Sequence, residues 1–147
     1  MSFPYRRTRG KEGDASTKKY GNKPVTYDGI DFPSTKEGNR YLYLRALEQK
    51  GEIRNLECHT VFELIPKITH EEVIHLKTKD KVITRTDQLP TTWECDFKYE
   101  KADGTTVIED VKGSKKMITQ EWQLKQKLLY WRFGWRAVVV TSPTQAI

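Results

Sequence analysis

The sequence predicts an α/β protein, with an αβββαβ core in which helices flank a mixed central sheet. Three observations carry that prediction. Two helix-like segments are punctuated at both ends, Ser34 to Gly51 and Thr119 to Gly134. Two strand-like segments, near 92–100 and 105–111, are joined by the turn Ala102-Asp103-Gly104. The apolar run Ala137-Val138-Val139-Val140 follows the second helix. A helix that crosses from one strand to the next makes the last pairing parallel, with a right-handed connection.

In chain order, residues 1–24 read as a disordered basic arm. They hold Arg6, Arg7, Arg9, Lys11, Lys18, Lys19 and Lys23 against Glu12 and Asp14, so most of the net charge of +6 sits there. Arms of this kind either contact nucleic-acid phosphates or merely solubilise, and the sequence weighs the two equally. Residues 25–147 are expected to form a single domain. Thr26 to Phe32 reads as a short turn or hairpin. Ser34 is then a good N-cap, with Glu37 three residues later as in a capping box. The first helix should run to Lys50 and stop at Gly51, with Tyr41, Leu44 and Leu47 as its apolar stripe and Leu42 and Ala46 beside it.

Ile53 to Pro66 follows, with Val61-Phe62-Glu63-Leu64-Ile65 its clearest strand. Residues 67–91 fit either a strand pair about Lys79-Asp80-Lys81 or a mobile loop. After the two firmer strands, Thr119 is the expected N-cap of the second helix, which ends at Gly134. Trp122, Leu124, Leu128, Leu129 and Trp131 should supply its apolar surface. The run Ala137–Val140 reads as a fully buried strand.

Several functional classes fall away. No run approaches a membrane span and the start lacks the apolar core of a signal peptide, so a cytosolic protein with no membrane partner is expected. Cys58 and Cys95 are far apart, without CxxC spacing, and read as buried thiols. His70-Glu71-Glu72-Val73-Ile74-His75 is not a zinc-protease motif, because its histidines are five apart where the motif needs four. His59 has no evident partner and reads as structural.

The chemistry gathers elsewhere. Strand alternation puts Asp110 and Lys112 on one face and Val107, Glu109 and Val111 on the other. An antiparallel neighbour carrying Asp96 brings a second carboxylate beside them. Two carboxylates and a lysine at a sheet edge suit metal-assisted phosphodiester hydrolysis: the acids hold a hard divalent cation, and the lysine steadies water or phosphate charge. The triplet by itself is weak, since acidic-x-Lys occurs three times, at Glu48, Asp96 and Asp110. Only the third has an earlier strand-borne Asp at hairpin distance and a helix after it. Glu37 fits a cap and a site acid equally well. Lys115, Lys116, Lys125, Lys127, Arg132 and Arg136, with Trp122, Trp131 and Trp135 interleaved, form either a DNA-facing surface or the wet side of an amphipathic helix.

Glu37, Asp96, the Asp110-Val111-Lys112 triplet and the following helix resemble the PD-(D/E)XK nuclease superfamily, whose core is restriction-endonuclease-like. More closely, "YDGIDFPSTKEGNRYLYLRALEQKGEI", "WECDFKY" and "VIEDVKGSKK" resemble a phage and prophage family of unknown function near the Holliday-junction-resolving endonucleases and the TnsA transposition nuclease. The resemblance spans roughly residues 25–142. It implies a divalent-metal-dependent DNA endonuclease, phage- or prophage-encoded, that acts on branched or recombination DNA in the cytoplasm of a bacterial host. Carried across, Asp96 and Asp110 become the main ligands of Mg2+ or Mn2+, with the Val111 carbonyl as an added donor. Lys112 becomes the catalytic lysine, and Glu37 completes the metal site or positions water. Lys115, Lys116 and Lys125, with Arg6, Arg7 and Arg9 of the arm, become DNA contacts. A homodimer follows by analogy with junction resolvers. The sequence departs from the family pattern in having Asp110 where Glu is commoner, and Cys95 where proline precedes the first acid. Rival readings are a non-catalytic DNA-binding protein that keeps the fold, and a phage accessory factor acting through protein contacts.

Overall fold

The computed structural model describes residues 22–147. Most of the expected basic arm, including Arg6, Arg7 and Arg9, lies outside them. The described chain opens with a hairpin, β1 (Val25–Tyr27) and β2 (Ile30–Phe32). Its turn is Asp28-Gly29, both at positive φ (51° and 76°), the geometry that matches the twist of paired strands. Helix α1 (Thr35–Gln49) packs directly on this hairpin. A Cβ at Gly38 would stand 2.8 Å from Tyr27 Cε2, so only glycine allows that approach. The Ser34 hydroxyl accepts the Glu37 N–H, and the helix ends before Gly51 at φ 77°. Tyr41, Leu44 and Leu47 are buried as expected, whereas Leu42 and Ala46 face solvent.

Strand β3 (Ile53–Cys58) leads to β4 (Val61–Ile65), then to a long hairpin of β5 (Ile68–His75) and β6 (Asp80–Gln88). The segment left open between a strand pair and a loop is therefore a strand pair. Strands β7 (Thr91–Glu94), β8 (Phe97–Lys101) and β9 (Thr106–Val111) follow. The expected single strand over 92–100 is broken at Cys95-Asp96. There the chain stops pairing with β4 and begins pairing with β3 and β9. After a 3-10 turn (Lys115–Met117), helix α2 (Gln120–Phe133) starts on Thr119, whose Oγ accepts the Trp122 N–H, and stops at Gly134. Strand β10 (Ala137–Val140) closes the fold.

The central sheet has the order β10-β9-β8-β3, with β10 parallel to β9 and the other pairs antiparallel. Taken with α1 and α2, it is the mixed α/β sheet in the predicted order αβββαβ; β4 to β7 are inserted between its first two strands. One apolar cluster joins α1 to Phe97, Tyr99, Val107 and Val111; the other joins Leu129 of α2 to Ile108, Phe62, Leu64, Trp93 and Cys95. The alternation of β9 thus assigns the helices to opposite faces.

Two packing expectations fail for physical reasons. Leu124 and Trp131 are exposed (58% and 79%), because they lie about 140° and 160° around the helix from buried Leu129. Buried Gln126 takes the inward place instead, its Oε1 accepting the Ala137 N–H at 3.1 Å. Strand β10 is not fully buried: Val138 is exposed because β10 is the edge of its sheet.

The most consequential contact is polar. Arg40, fully buried on α1, grips Glu109 of β9 through two bonds, Nε to Oε2 at 2.8 Å and Nη2 to Oε1 at 2.5 Å. Tyr99 of β8 donates its hydroxyl to Glu109 Oε1 at 2.7 Å, and Arg40 Nη1 donates to the carbonyls of Pro143 and Gln145. One bidentate pair therefore ties α1, β8, β9 and the C-terminal segment together. Glu109 lies on the face away from Asp110, as strand alternation predicts; nothing in the local sequence signals its arginine partner. Removing one charge strands the other in the core. Arg40→Met and Glu109→Gln should each cost about 3–5 kcal/mol by urea denaturation. The double variant Arg40→Met/Glu109→Leu should recover most of that loss. Equal losses for the single and double variants would rule out the pair as the source.

Candidate active site

The break between β7 and β8 is what presents Asp96. Its N–H donates to the Glu109 carbonyl at 3.1 Å, and its own carbonyl accepts the His59 N–H at 3.0 Å. The carboxylate then turns onto β9, where Oδ2 accepts the Val111 N–H at 2.5 Å. Asp110 follows Glu109 on β9 and points to the α2 face, 5% exposed, with Lys112 Nζ 2.9 Å from its Oδ2. That contact has the distance of an ion pair but not hydrogen-bond alignment, and Asp110 Oδ2 is a buried oxygen with no hydrogen-bond partner. The Lys112 N–H donates to the Val140 carbonyl at 2.8 Å, extending the parallel ladder to the lysine itself.

Glu37 enters from the first turn of α1, 5% exposed. Half of the expected capping box forms, because the Ser34 hydroxyl takes the Glu37 N–H. The Glu37 carboxylate, however, turns to His59, with Oε1 2.8 Å from Nε2. His59 therefore has a partner, contrary to the sequence reading. It sits between β3 and β4 at φ 56°, a left-handed value that is costly for a side-chain-bearing residue and recurs at functional sites.

The acids sense one another. Burial, chiefly, pushes the Asp96 carboxyl up to about 7; the Val111 N–H opposes the rise, Glu37 and Asp110 add to it, and Lys112 opposes it. Burial also raises Glu37, against the His59 hydrogen bond and charge, with Asp110 and Glu94 adding to the rise. Asp96 thus feels Glu37, Asp110 and Lys112, and Lys112 pairs with Asp110 at 2.9 Å. Burial pushes the Cys95 thiol up to about 12 and the Cys58 thiol to about 11, as suits unreactive thiols.

Two hollows open beside this cluster. One of about 450 Å³ is lined by Ser34, Lys36, Glu37, Val111, Lys112 and Met117, among others. The other, of about 210 Å³, lies over Trp93, Thr119, Trp122 and Lys125. Lys112 and Met117 line both, so they form the ridge between them. Lys36 ties the rim down by donating to the carbonyls of Gly113 and Thr141. The lysines expected to meet DNA divide. Lys115 and Lys116 are exposed on the 3-10 turn, whereas Lys125 is paired with Glu121 at 3.1 Å. Farther along α2, Arg132 meets Glu63 at 3.4 Å, and beyond the helix Arg136 lies over the Tyr130 ring.

The donors gathered here are carboxylate oxygens, the chemistry that Mg2+ or Mn2+ prefers. Asp110 Oδ2, which accepts no hydrogen bond, and the mutual repulsion of the acids fit a cation. Among the described residues, no three acid, imidazole or thiol groups already stand at metal-holding distances. Lys112 instead supplies the nearest positive charge.

The fold is that of an α/β protein with a mixed central sheet, and Asp110 and Lys112 pair at the end of β9. The chain belongs to the DUF1064 family, described as a protein of unknown function, whose model matches residues 17–144. No curated protein and no solved structure matches it. Among the described residues no helix is long and apolar enough to cross a membrane.

Asp96 gives a prediction for the metal-free protein. Its folded value of about 7 lies above the ordinary 3.8, so its contribution is full below pH 4, declines as pH rises toward 7, and then levels off. Asp96→Asn keeps an acceptor for the Val111 N–H and removes the half-buried charge. In EDTA it should melt about 5 °C above the wild type at pH 8 and level with it at pH 4. Equal melting temperatures at both pH values would show that Asp96 is not held at a cost.

Proposed function

We propose that this protein is a divalent-metal-dependent DNA endonuclease that hydrolyses phosphodiester bonds, with branched or recombination DNA as its substrate. The observation that supports the reading is the mutual repulsion of buried Glu37 and Asp110 and half-buried Asp96, with the Lys112 ammonium 2.9 Å from an Asp110 oxygen that accepts no hydrogen bond. Isolated acids gain nothing from such crowding, whereas acids that share a cation do.

Asp96, Asp110 and Glu37 would hold magnesium or manganese, with the Val111 carbonyl as an added donor. The bound ion would supply charge neutralisation at the scissile phosphate and lower the pKa of water. This chain's residues do the rest. The Val111 N–H fixes one oxygen of Asp96, leaving its carboxylate oriented. His59 fixes Glu37 from behind, so that acid is aimed and able to take a proton from water. Lys112 is held at the site mouth between the two hollows, where its ammonium meets phosphate charge once Asp110 is otherwise engaged. Lys115, Lys116 and Lys36 extend the positive rim.

The test is cleavage of four-way-junction and linear DNA with magnesium, against an EDTA control. Wild type should cut only with metal. Asp110→Asn should abolish cutting while DNA binding persists or tightens, because a charge that repels phosphate is gone. Glu37→Gln should lose at least ~100-fold. His59→Ala should lose less, with a fall in kcat and little change in KM, as fits a residue that acts through Glu37. Metal-independent cutting, or full turnover by Asp110→Asn, would reject the reading.

A further inference from the structure

The β5–β6 hairpin does nothing visible for the fold. Apart from Ile74 and Ile83, all its strand residues are exposed, and none of its residues joins either apolar cluster. Its register runs unbroken from Thr69↔Thr86 to His75↔Asp80, and the Leu76 N–H closes the turn on the Lys79 carbonyl at 3.1 Å. A two-stranded ribbon that orders this many residues and buries almost none has no stabilising return to offset its entropy.

Its charges are sorted. Glu72 is taken by Arg85 at 2.8 Å, Asp87 by His70 at 2.8 Å, and Asp80 by His75 at 2.7 Å. The acids of the ribbon are thus mostly occupied within it. Lys77, Lys79 and Lys81, at and beside the tip, are exposed and have no acid partner among the described residues. The tip thus carries three lysines against Asp80, a net positive charge that complements a polyphosphate backbone. Its width also suits one: the major groove of B-DNA admits a two-stranded β-ribbon.

We infer that the β5–β6 hairpin is a DNA-gripping arm whose lysine tip contacts duplex phosphates at a distance from the cleavage site. This rests on the nuclease reading and deepens it by naming where the flanking duplex is held. The arm leaves β4–β7 at the Ile65–Thr91 end, while Asp96 lies beyond the opposite, Val61–Glu94 end. At about 3.4 Å per residue, the five residues of β4 and eight of β5 together reach at most about 44 Å, or about 13 base pairs from the cut. A long duplex arm should thus bind better than a short one. The other occupant to consider is a second copy of this chain, seated on exposed Val73 and Val82, which pair across the ribbon.

The experiment uses the full chain and a fluorescein-labelled 40-base-pair duplex, read by anisotropy in EDTA across a salt titration. Lys77→Gln/Lys79→Gln/Lys81→Gln should leave the melting temperature unchanged, since the arm adds nothing to the core. It should weaken binding at least tenfold and make the slope of log K against log salt shallower by about 2 to 3, near 0.9 per lost phosphate contact. It should lose no affinity for a 10-base-pair duplex. If wild type cuts DNA with magnesium but the triple variant keeps the wild-type affinity and slope, the arm is not a DNA grip and the nuclease reading stands. If wild type binds no DNA and cuts none, both fall. If wild type sediments as a dimer that Val73→Asp splits, while the lysine variant binds like wild type, the ribbon is a self-association surface and the inference is overturned.

Discussion

Everything at the site hangs from the buried pair Arg40–Glu109. Arg40 lies one helical turn after Glu37, and Glu109 immediately precedes Asp110. The bidentate contact therefore clamps together the two elements that carry the helix acid and the strand acid. Apolar packing alone would allow α1 to slide or roll on the sheet, because Leu and Tyr contacts are non-directional. A planar guanidinium held by two carboxylate oxygens, a tyrosine hydroxyl nearby and two backbone carbonyls is directional in every sense. It sets the distance and rotation of α1 relative to β9, and so fixes where the first turn of α1 delivers Glu37 to His59. A buried ion pair is a weak way to gain stability but a good way to specify one arrangement over its neighbours.

The site works against the fold that supports it. Asp96, Glu37 and Asp110 are desolvated and near one another, so the metal-free protein carries repulsion that burial intensifies. Lys112 relieves part of it from one side and His59 from the other. On the proposed reading, the same charges that disfavour folding are those that bind a cation, and metal and protons compete for the acids. The ordered β5–β6 ribbon extends this pattern: it too is structure retained without a packing benefit.

The parts that were legible in the sequence depend on neighbours in the chain. Ser34 and Thr119 cap as read, Gly51 and Gly134 end the helices, and the parity of β9 put Asp110 and Glu109 on opposite faces. The parallel β9–β10 pairing followed from the helix between them. What was missed depends on distant partners. Arg40 falls on the buried side of α1, a signal that it needs an acid, but nothing local says that the acid is Glu109, 69 residues on. His59 looked partnerless because Glu37 lies 22 residues away on another element. Leu124 and Trp131 misled because residue type outweighed helical angle, and Val138 because an apolar run does not say whether its strand is central or at an edge.

On the proposed reading, Glu37, Asp96 and Asp110 share one cation. The most direct measurement is calorimetric titration of Mn2+ into the wild type, Glu37→Gln, Asp96→Asn and Asp110→Asn proteins, each checked for folding. One shared site requires saturable binding to wild type at pH 8, weakened at least tenfold by each single substitution. Wild-type affinity in all three variants, or no saturable binding to the folded wild type, would contradict it.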